Sequence, residues 1–408
     1  MSLKHFVYAL ALAGSFGLAL TGCGSDEKPE PSGDGTAPPA AEAAQAAAPA
    51  TPTAVPPPPQ LKARSFIVID HDSGRVLAAL EPDARQEPAS LTKLMTAYGV
   101  FKALKEGRIK PTDMVTISER AWKQEGSRMF VEVGKQVSVN DLLQGMIVQS
   151  GNDATVALAE KVGGTEETFV LIMNTYAKLL GMGGSHFTNS AGMPDPEHYM
   201  TARDSAILAS ALIHEFPEYY RLYSQREFAW NGITQQNRNG LLWRDPTVDG
   251  VKTGHTETAG YCLIASAKRD GMRLVSVVLG ADSMRAREDA SAALLNYGFN
   301  FFETKRVYAA GQPLTTTRVW KGQEDEVGLA LNRDLYVTSQ RGGVDSVKAE
   351  FELPETLEAP LSRSEPVGKT RILVDGTPVA AYELYPATDV AAAGFFGRTW
   401  DSLRLMLH

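Results

Sequence analysis

The chain has 408 residues, 43% hydrophobic and 22% charged, with a formal net charge of -8. That length and apolar content support a sizeable core spread over two or three domains, while the acidic balance leaves no lysine and arginine excess to displace counterions from a phosphate backbone and so excludes a nucleic-acid partner. Two cysteines, Cys23 and Cys262, allow at most one disulfide.

Lys4 and His5 precede an apolar run from Phe6 to Leu20, which closes on Leu20-Thr21-Gly22-Cys23. Residues 1–22 therefore have the length and polarity of a secretory signal and are too short for a comfortable membrane span. The Leu-x-Gly-Cys ending is similar to the lipobox of bacterial lipoproteins, which makes Cys23 the expected lipidated first residue of the mature chain; an ordinary signal peptide that leaves a free thiol is the other reading. After cleavage Cys262 has no intrachain partner, and its apolar setting in Tyr261-Cys262-Leu263-Ile264 is that of a small core residue. Residues 23–62 form a Pro/Ala-rich tether that ends in Pro56-Pro57-Pro58-Pro59 and has too little apolar surface to fold.

In the body, Phe66–Ile69 and Arg75–Leu80 read as a hairpin turned at His71-Asp72-Ser73-Gly74. A buried helix follows from Ser90, with apolar residues at Leu91, Leu94, Met95, Tyr98, Phe101 and Leu104. Ser138-x-x-Asp141 is a capping box for a helix that stops at Ser150-Gly151-Asn152. Asp153 is then expected to cap a short helix, 154–159, and Thr165–Leu180 is amphipathic with Gly181 as its stop. Thr201-x-x-Asp204 opens another helix. From Phe228 the period changes from helical to alternating: a turn at Asn231-Gly232, strands over 251–254, 262–267 and 273–279, and a returning helix from about Arg285 to Phe302. The order predicts an α+β domain, residues 63–303, whose antiparallel sheet is assembled from both ends of the segment. Residues 304–390 alternate in short runs (335–338, 347–351, 371–374, 379–384), the pattern of a separate small all-β sandwich. The end of the chain, 391–408, forms an amphipathic helix with Phe395, Phe396, Trp400 and Leu403 on one face, read either as lying on a bilayer surface or as packing on the sandwich.

Three short motifs stand at element boundaries: Ser90-Leu-Thr-Lys93, Ser150-Gly-Asn152 and Lys252-Thr-Gly254. The first puts a hydroxyl and an amine three residues apart on one helical edge, close enough to exchange a proton, and a lysine that loses hydration there becomes a usable base. Each is weak alone; S-x-x-K also occurs at Ser25–Lys28 in the tether, and S-x-N at Ser138–Asn140 in a helix cap. Their order and placement carry the signal. No H-E-x-x-H metal motif and no glycine-rich phosphate loop is present, so neither metal nor cofactor is expected.

The chain resembles the low-molecular-mass penicillin-binding proteins that are D-alanyl-D-alanine carboxypeptidases, serine peptidases of the S11 type. The likeness runs from about Ala63 to His408. It includes Pro88–Lys93, Gln149-Ser-Gly-Asn-Asp153, Ala202-Arg-Asp204, Asn237-Arg-Asn-Gly-Leu-Leu-Trp243, Asp249-Gly-Val-Lys-Thr-Gly-His-Thr256 and the final Phe-Phe-Gly helix. It implies a β-lactamase/transpeptidase-like catalytic domain that removes the terminal D-alanine from peptidoglycan pentapeptide stems. Ser90 would be the nucleophile, Lys93 its base and Ser150 a proton relay. Asn152 would orient Lys93 and hold the substrate amide. Lys252, Thr253 and Arg238 would hold the terminal carboxylate beside Gly254, and the Ser90 and His255 amides would form the oxyanion hole. The resemblance further implies covalent inhibition by β-lactams and an exported, periplasmic enzyme held at the inner membrane by its C-terminal helix, although Gly24 after Cys23 also fits the outer membrane. The chain departs from the family in its tether and in the short segment Gln124–Met129, where relatives often carry a longer loop. A murein DD-endopeptidase on the same scaffold, a class A-like β-lactamase and a non-enzymatic cell-wall scaffold are the competing readings. The S-G-N motif, in place of S-D-N, and the extra β-domain weigh against the β-lactamase.

Overall fold

Six consecutive residues, Ser65–Asp70 (β1), are all buried, the mark of a strand covered on both faces. The computed structural model describes residues 55–343 and 346–406; the signal-type run, Cys23 and most of the expected tether lie outside the described residues. β1 pairs with Val76–Leu80 (β2) in a hairpin and with a strand far later in the chain, Asp70 opposite Leu274, in a five-stranded antiparallel sheet ordered β2-β1-β5-β4-β3. Here β3 is Val248–Thr256, β4 Gly260–Arg269 and β5 Met272–Ala281. Alternate residues of β1 feed two cores. Ile67 and Ile69 pack with the helical block; Phe66 and Val68 pack on the other face with Leu294 and Leu295 of the returning helix.

The helical block lies between β2 and β3 in sequence. Its centre is Lys93–Lys105 (α1), apolar nearly all round and accordingly buried. Around it stand Val139–Val148 (α2), Asn152–Gly163 (α3), Glu166–Leu179 (α4) and Ala202–Glu215 (α5), with Met284–Phe301 (α6) on the opposite face of the sheet. Ser138, Thr165, Thr201 and Ser283 cap α2, α4, α5 and α6 through their side-chain oxygens. Two details differ from expectation. The Ser90 segment is not a single helix: Ala89–Thr92 is a 3₁₀ turn and α1 begins at Lys93. Gly151, not Asp153, is the N-cap of α3, because the Asp153 carboxylate is turned to a neighbouring loop.

The described residues divide into two compact units, 55–305 with 336–341, and 306–335 with 342–406. The run 335–338, expected in the C-terminal domain, thus has all but Leu335 in the first unit. There Thr338 Oγ1 meets Ser73 Oγ at 2.6 Å and Thr304 Oγ1 at 2.7 Å, and both of those hydroxyls donate to the buried Asp70 carboxylate. The second unit is a β domain on a five-stranded antiparallel sheet. Its strands are Pro313–Arg318 (β6), Glu326–Ala330 (β7), Val347–Glu352 (β8), Gly368–Val374 (β9) and Thr377–Pro386 (β10), ordered β6-β7-β10-β9-β8. Alternate residues such as Ala349, Phe351 and Ile372 form its core. Phe395–Leu405 (α7) is the last described helix and buries none of its residues: Phe396 is 87% and Trp400 61% exposed. Among the described residues no helix is long and apolar enough to cross a membrane.

Leu94 is fully buried on α1 against the helical core. Leu94→Ala is expected to cost about 3 kcal/mol through the cavity it leaves, read as a lower urea midpoint of the intact chain.

Candidate active site

Ser90 sits in the 3₁₀ turn ahead of α1, half-buried, and Lys93 occupies the first helical position with only 1% of its surface exposed. Their spacing brings Lys93 Nζ to 2.9 Å from Ser90 Oγ. The amine's second partner is the Ala191 carbonyl, at 2.6 Å. A buried ammonium with no carboxylate in contact is costly; burial, followed by the charge of Arg238, lowers the Lys93 pKa to about 7. A neutral Lys93 has two N–H groups and a lone pair, so one N–H can serve Ala191 while the lone pair faces the Ser90 hydroxyl.

Ser150 lies at the break between α2 and α3 with a left-handed φ of 68°, which turns its side chain into the cleft. Lys252, from β3, donates to Ser150 Oγ at 2.9 Å and to the Thr253 carbonyl at 3.1 Å. Burial first, then Lys93, Arg238 and Arg287, hold its pKa well below the usual lysine value. The structure departs from sequence reasoning at two residues. The Asn152 amide does not bond Lys93: its Nδ2 donates to the Glu125 carbonyl at 2.6 Å and contacts Met193 Sδ, and its buried Oδ1 has no partner. Lys252 is buried behind Ser150, leaving Thr253 and Arg238 as the members of the expected carboxylate site that line the cleft.

The cleft has a volume of about 630 Å³ and is lined by Ser90, Ser150, Arg238, Thr253, Gly254 and His255, with Gly126 and Ser127 of the short loop and Tyr261, Met284 and Arg287 beyond. β3 is an edge strand of the sheet, so one side of its backbone has no ladder partner. Gly254 explains the motif's glycine: a Cβ there would stand 2.8 Å from the Pro88 carbonyl, so only glycine lets the strand approach the Ser90 turn so closely. His255 is exposed and lies against Tyr261, ring centres 4.0 Å apart and planes tilted by 31°. Asn239 fixes the start of β3 by donating to the Gly250 carbonyl at 2.9 Å, which leaves Arg238 free to face the cleft.

Sequence reasoning missed three contributors. Ala191 supplies a backbone carbonyl, which no side-chain motif reveals. Asp153 accepts from the amides of Met129, Phe130 and Val131, at 2.9, 2.8 and 3.2 Å, and so shapes the loop that carries Gly126 and Ser127. Arg287 lies on α6, where its sequence context reads as an ordinary polar helix face. It is 3% exposed, donates to the carbonyls of Gly254 and Arg238 at 3.3 Å each, and its Nε has no partner. Among the described residues no group of three or more His, Cys, Asp or Glu side chains could hold a metal ion.

Residues 51–283 match the family model of peptidase S11, D-alanyl-D-alanine carboxypeptidase, and residues 302–392 that of the penicillin-binding protein 5 C-terminal domain. The chain is 46% identical over 354 residues to D-alanyl-D-alanine carboxypeptidase DacA of Haemophilus influenzae, spanning 85% of this chain and 90% of that one. It is 44% identical to DacC of Escherichia coli, spanning 86% and 90%. Among solved structures, penicillin binding protein 5 from Haemophilus influenzae superposes with a TM-score of 0.75 at 46% identity, covering 82% of this chain and 99% of that one. Penicillin-binding protein D2 from Listeria monocytogenes in its ampicillin-bound form superposes with a TM-score of 0.55 at 30% identity, covering 60% and 100%.

With ¹⁵N-labelled lysine, the Lys93 Nζ resonance is expected to titrate near pH 7, whereas ordinary lysines titrate at about 10.4. Arg238 lowers the Lys93 pKa, so Arg238→Gln removes a like charge and moves this midpoint upward; an unmoved midpoint would show that the two charges are uncoupled.

Proposed function

We propose, from the premise that the chain belongs to the S11 family of D-alanyl-D-alanine carboxypeptidases, that it removes the terminal D-alanine from peptidoglycan pentapeptide stems through an acyl-enzyme on Ser90. The observation that carries this reading is the 2.9 Å approach of a desolvated lysine to a half-buried serine at the base of a cleft rimmed by cations. Lys93 takes the Ser90 proton as the oxygen attacks the carbonyl of the penultimate D-alanine. The negative charge that develops on that carbonyl oxygen is received by the backbone N–H groups of Ser90 and His255; removing one such donor costs on the order of a hundredfold in rate. Ser150, held by Lys252, passes a proton to the departing amine of the terminal D-alanine and is reprotonated with the proton that Lys93 took, which leaves Lys93 neutral again. Water then adds to the ester carbonyl, Lys93 accepts the water's proton, and Ser90 leaves with a proton restored.

Specificity for a free C-terminus follows from charge. Arg238 and Thr253 offer a guanidinium and a hydroxyl to the terminal carboxylate. Lys252 reinforces them from behind Ser150, and an arriving anion favours its charged form. β-Lactams present the same carboxylate beside a strained amide and acylate Ser90. The exposed aromatic face of α7 suits a bilayer surface, and with the signal-type run and Cys23 it supports an exported protein on the periplasmic face of the inner membrane.

Mass spectrometry of the intact chain with a muramyl pentapeptide tests the reading. One D-alanine should be released per peptide, benzylpenicillin should add its own mass at Ser90, and Ser90→Ala should lose both reactions. Intact pentapeptide in the presence of penicillin-reactive protein would overturn the carboxypeptidase assignment and leave an acylatable scaffold.

A further inference from the structure

His198 lies outside the three motifs, 106 residues after Thr92, yet its Nε2 stands 2.7 Å from Thr92 Oγ1 with both side chains buried. The proton positions around it are fixed by chemistry. The Thr188 backbone amide, 3.1 Å from His198 Nδ1, can only donate, so Nδ1 must be the lone-pair nitrogen and Nε2 carries the hydrogen. The Thr92 hydroxyl has one proton, which it gives to the Ala89 carbonyl at 2.8 Å. Toward His198 it is therefore an acceptor. Three bonds run in one direction: Thr188 N–H to His198, His198 Nε2–H to Thr92, Thr92 O–H to the Ala89 carbonyl. Burial lowers the His198 pKa to about 4, so this neutral tautomer persists at neutral pH.

The chain of bonds ends at the peptide that matters most. The Ala89 carbonyl and the Ser90 N–H belong to one planar trans peptide and point in opposite directions, so fixing the carbonyl aims the amide. The aim needs holding, because Ala89 has a left-handed φ of 47° that a non-glycine residue adopts only under constraint. The space behind the carbonyl is closed by Gly192, where a Cβ would come within 1.8 Å of that oxygen. Gly192 is itself pinned by Asn189 Oδ1 at 2.7 Å.

We propose that His198 is a positioning residue for the oxyanion hole: through Thr92 it locks the Ala89–Ser90 peptide so that the Ser90 N–H faces the carbonyl oxygen of the substrate. This rests on the acyl-enzyme reading of Ser90 above. It assigns His198 no contact with substrate and no proton transfer.

The test uses the full chain, benzylpenicillin, stopped-flow acylation kinetics and the infrared carbonyl stretch of the resulting acyl-enzyme. His198→Ala and Thr92→Val should each slow acylation about tenfold or more, leave the dissociation constant of the preceding non-covalent complex unchanged, and move the ester carbonyl stretch to higher wavenumber as its hydrogen bond weakens. Combined, they should be no worse than either alone, since both break one relay. Thr92→Ser, which keeps the hydroxyl, and His198→Gln, which keeps an N–H donor, should return rate and stretch toward the wild type, and they serve the test where the first pair fold poorly. Variants that lose thermal stability while acylating at the wild-type rate with an unshifted stretch would overturn the proposal alone. A wild-type chain that penicillin does not acylate would overturn the acyl-enzyme reading and this proposal with it.

Discussion

The site depends on a lysine amine kept from both water and a counter-ion. Lys93 has a backbone carbonyl and a serine hydroxyl as its close partners, and an amine so placed holds its proton weakly because its charged form has lost solvation. Asp153, the acid that acts on it electrostatically, spends its carboxylate on loop amides. Had that carboxylate reached Lys93, the pair would have been a buried salt bridge, and the amine would be a cation at neutral pH rather than a base.

The same reasoning extends to the rest of the cleft. Lys252, Arg238 and Arg287 crowd one region; burial lowers the proton affinity of all three, and neighbouring cations lower it further for Lys252 and Arg287. Two of these cations have neutral oxygens to donate to: Ser150 Oγ and the Thr253 carbonyl for Lys252, the carbonyls of Gly254 and Arg238 for Arg287. The cluster leaves a positive field awaiting an anion. A peptide with a free carboxyl terminus, or an antibiotic carrying a carboxylate, supplies one.

Backbone geometry sets the distances among these groups. Gly254 lets the edge strand reach the Ser90 turn and Gly192 lets the 188–198 loop reach it from behind, so two close approaches hold a strained turn from both sides. Behind that loop, Glu166 accepts from Ser190 N and Oγ, at 3.0 and 2.6 Å, and Thr96 donates to the Ser190 carbonyl at 2.7 Å. The Ala191 carbonyl that serves Lys93 is therefore placed by its neighbours on both sides.

Much of this was legible in the residues themselves. Periodicity gives the buried α1 and the amphipathic α4, cap residues give the starts of α2 and α5, and the turn at His71-Asp72-Ser73-Gly74 gives the first hairpin of the sheet, because all of these are short-range consequences of side-chain type. The three motifs likewise identify Ser90, Lys93, Ser150 and Lys252, since reactive side chains are visible as letters. The sequence could not show that Lys93 is served by the Ala191 carbonyl, that Asn152 turns toward Glu125, that residues 336–341 join the first unit, or that Arg287 and His198 reach the site from 30 and more residues away. Those outcomes depend on which backbone groups come close in space, and backbone carbonyls and amides are the same at every position of a sequence; only the folded chain, by deciding which are buried and left to be satisfied, selects among them.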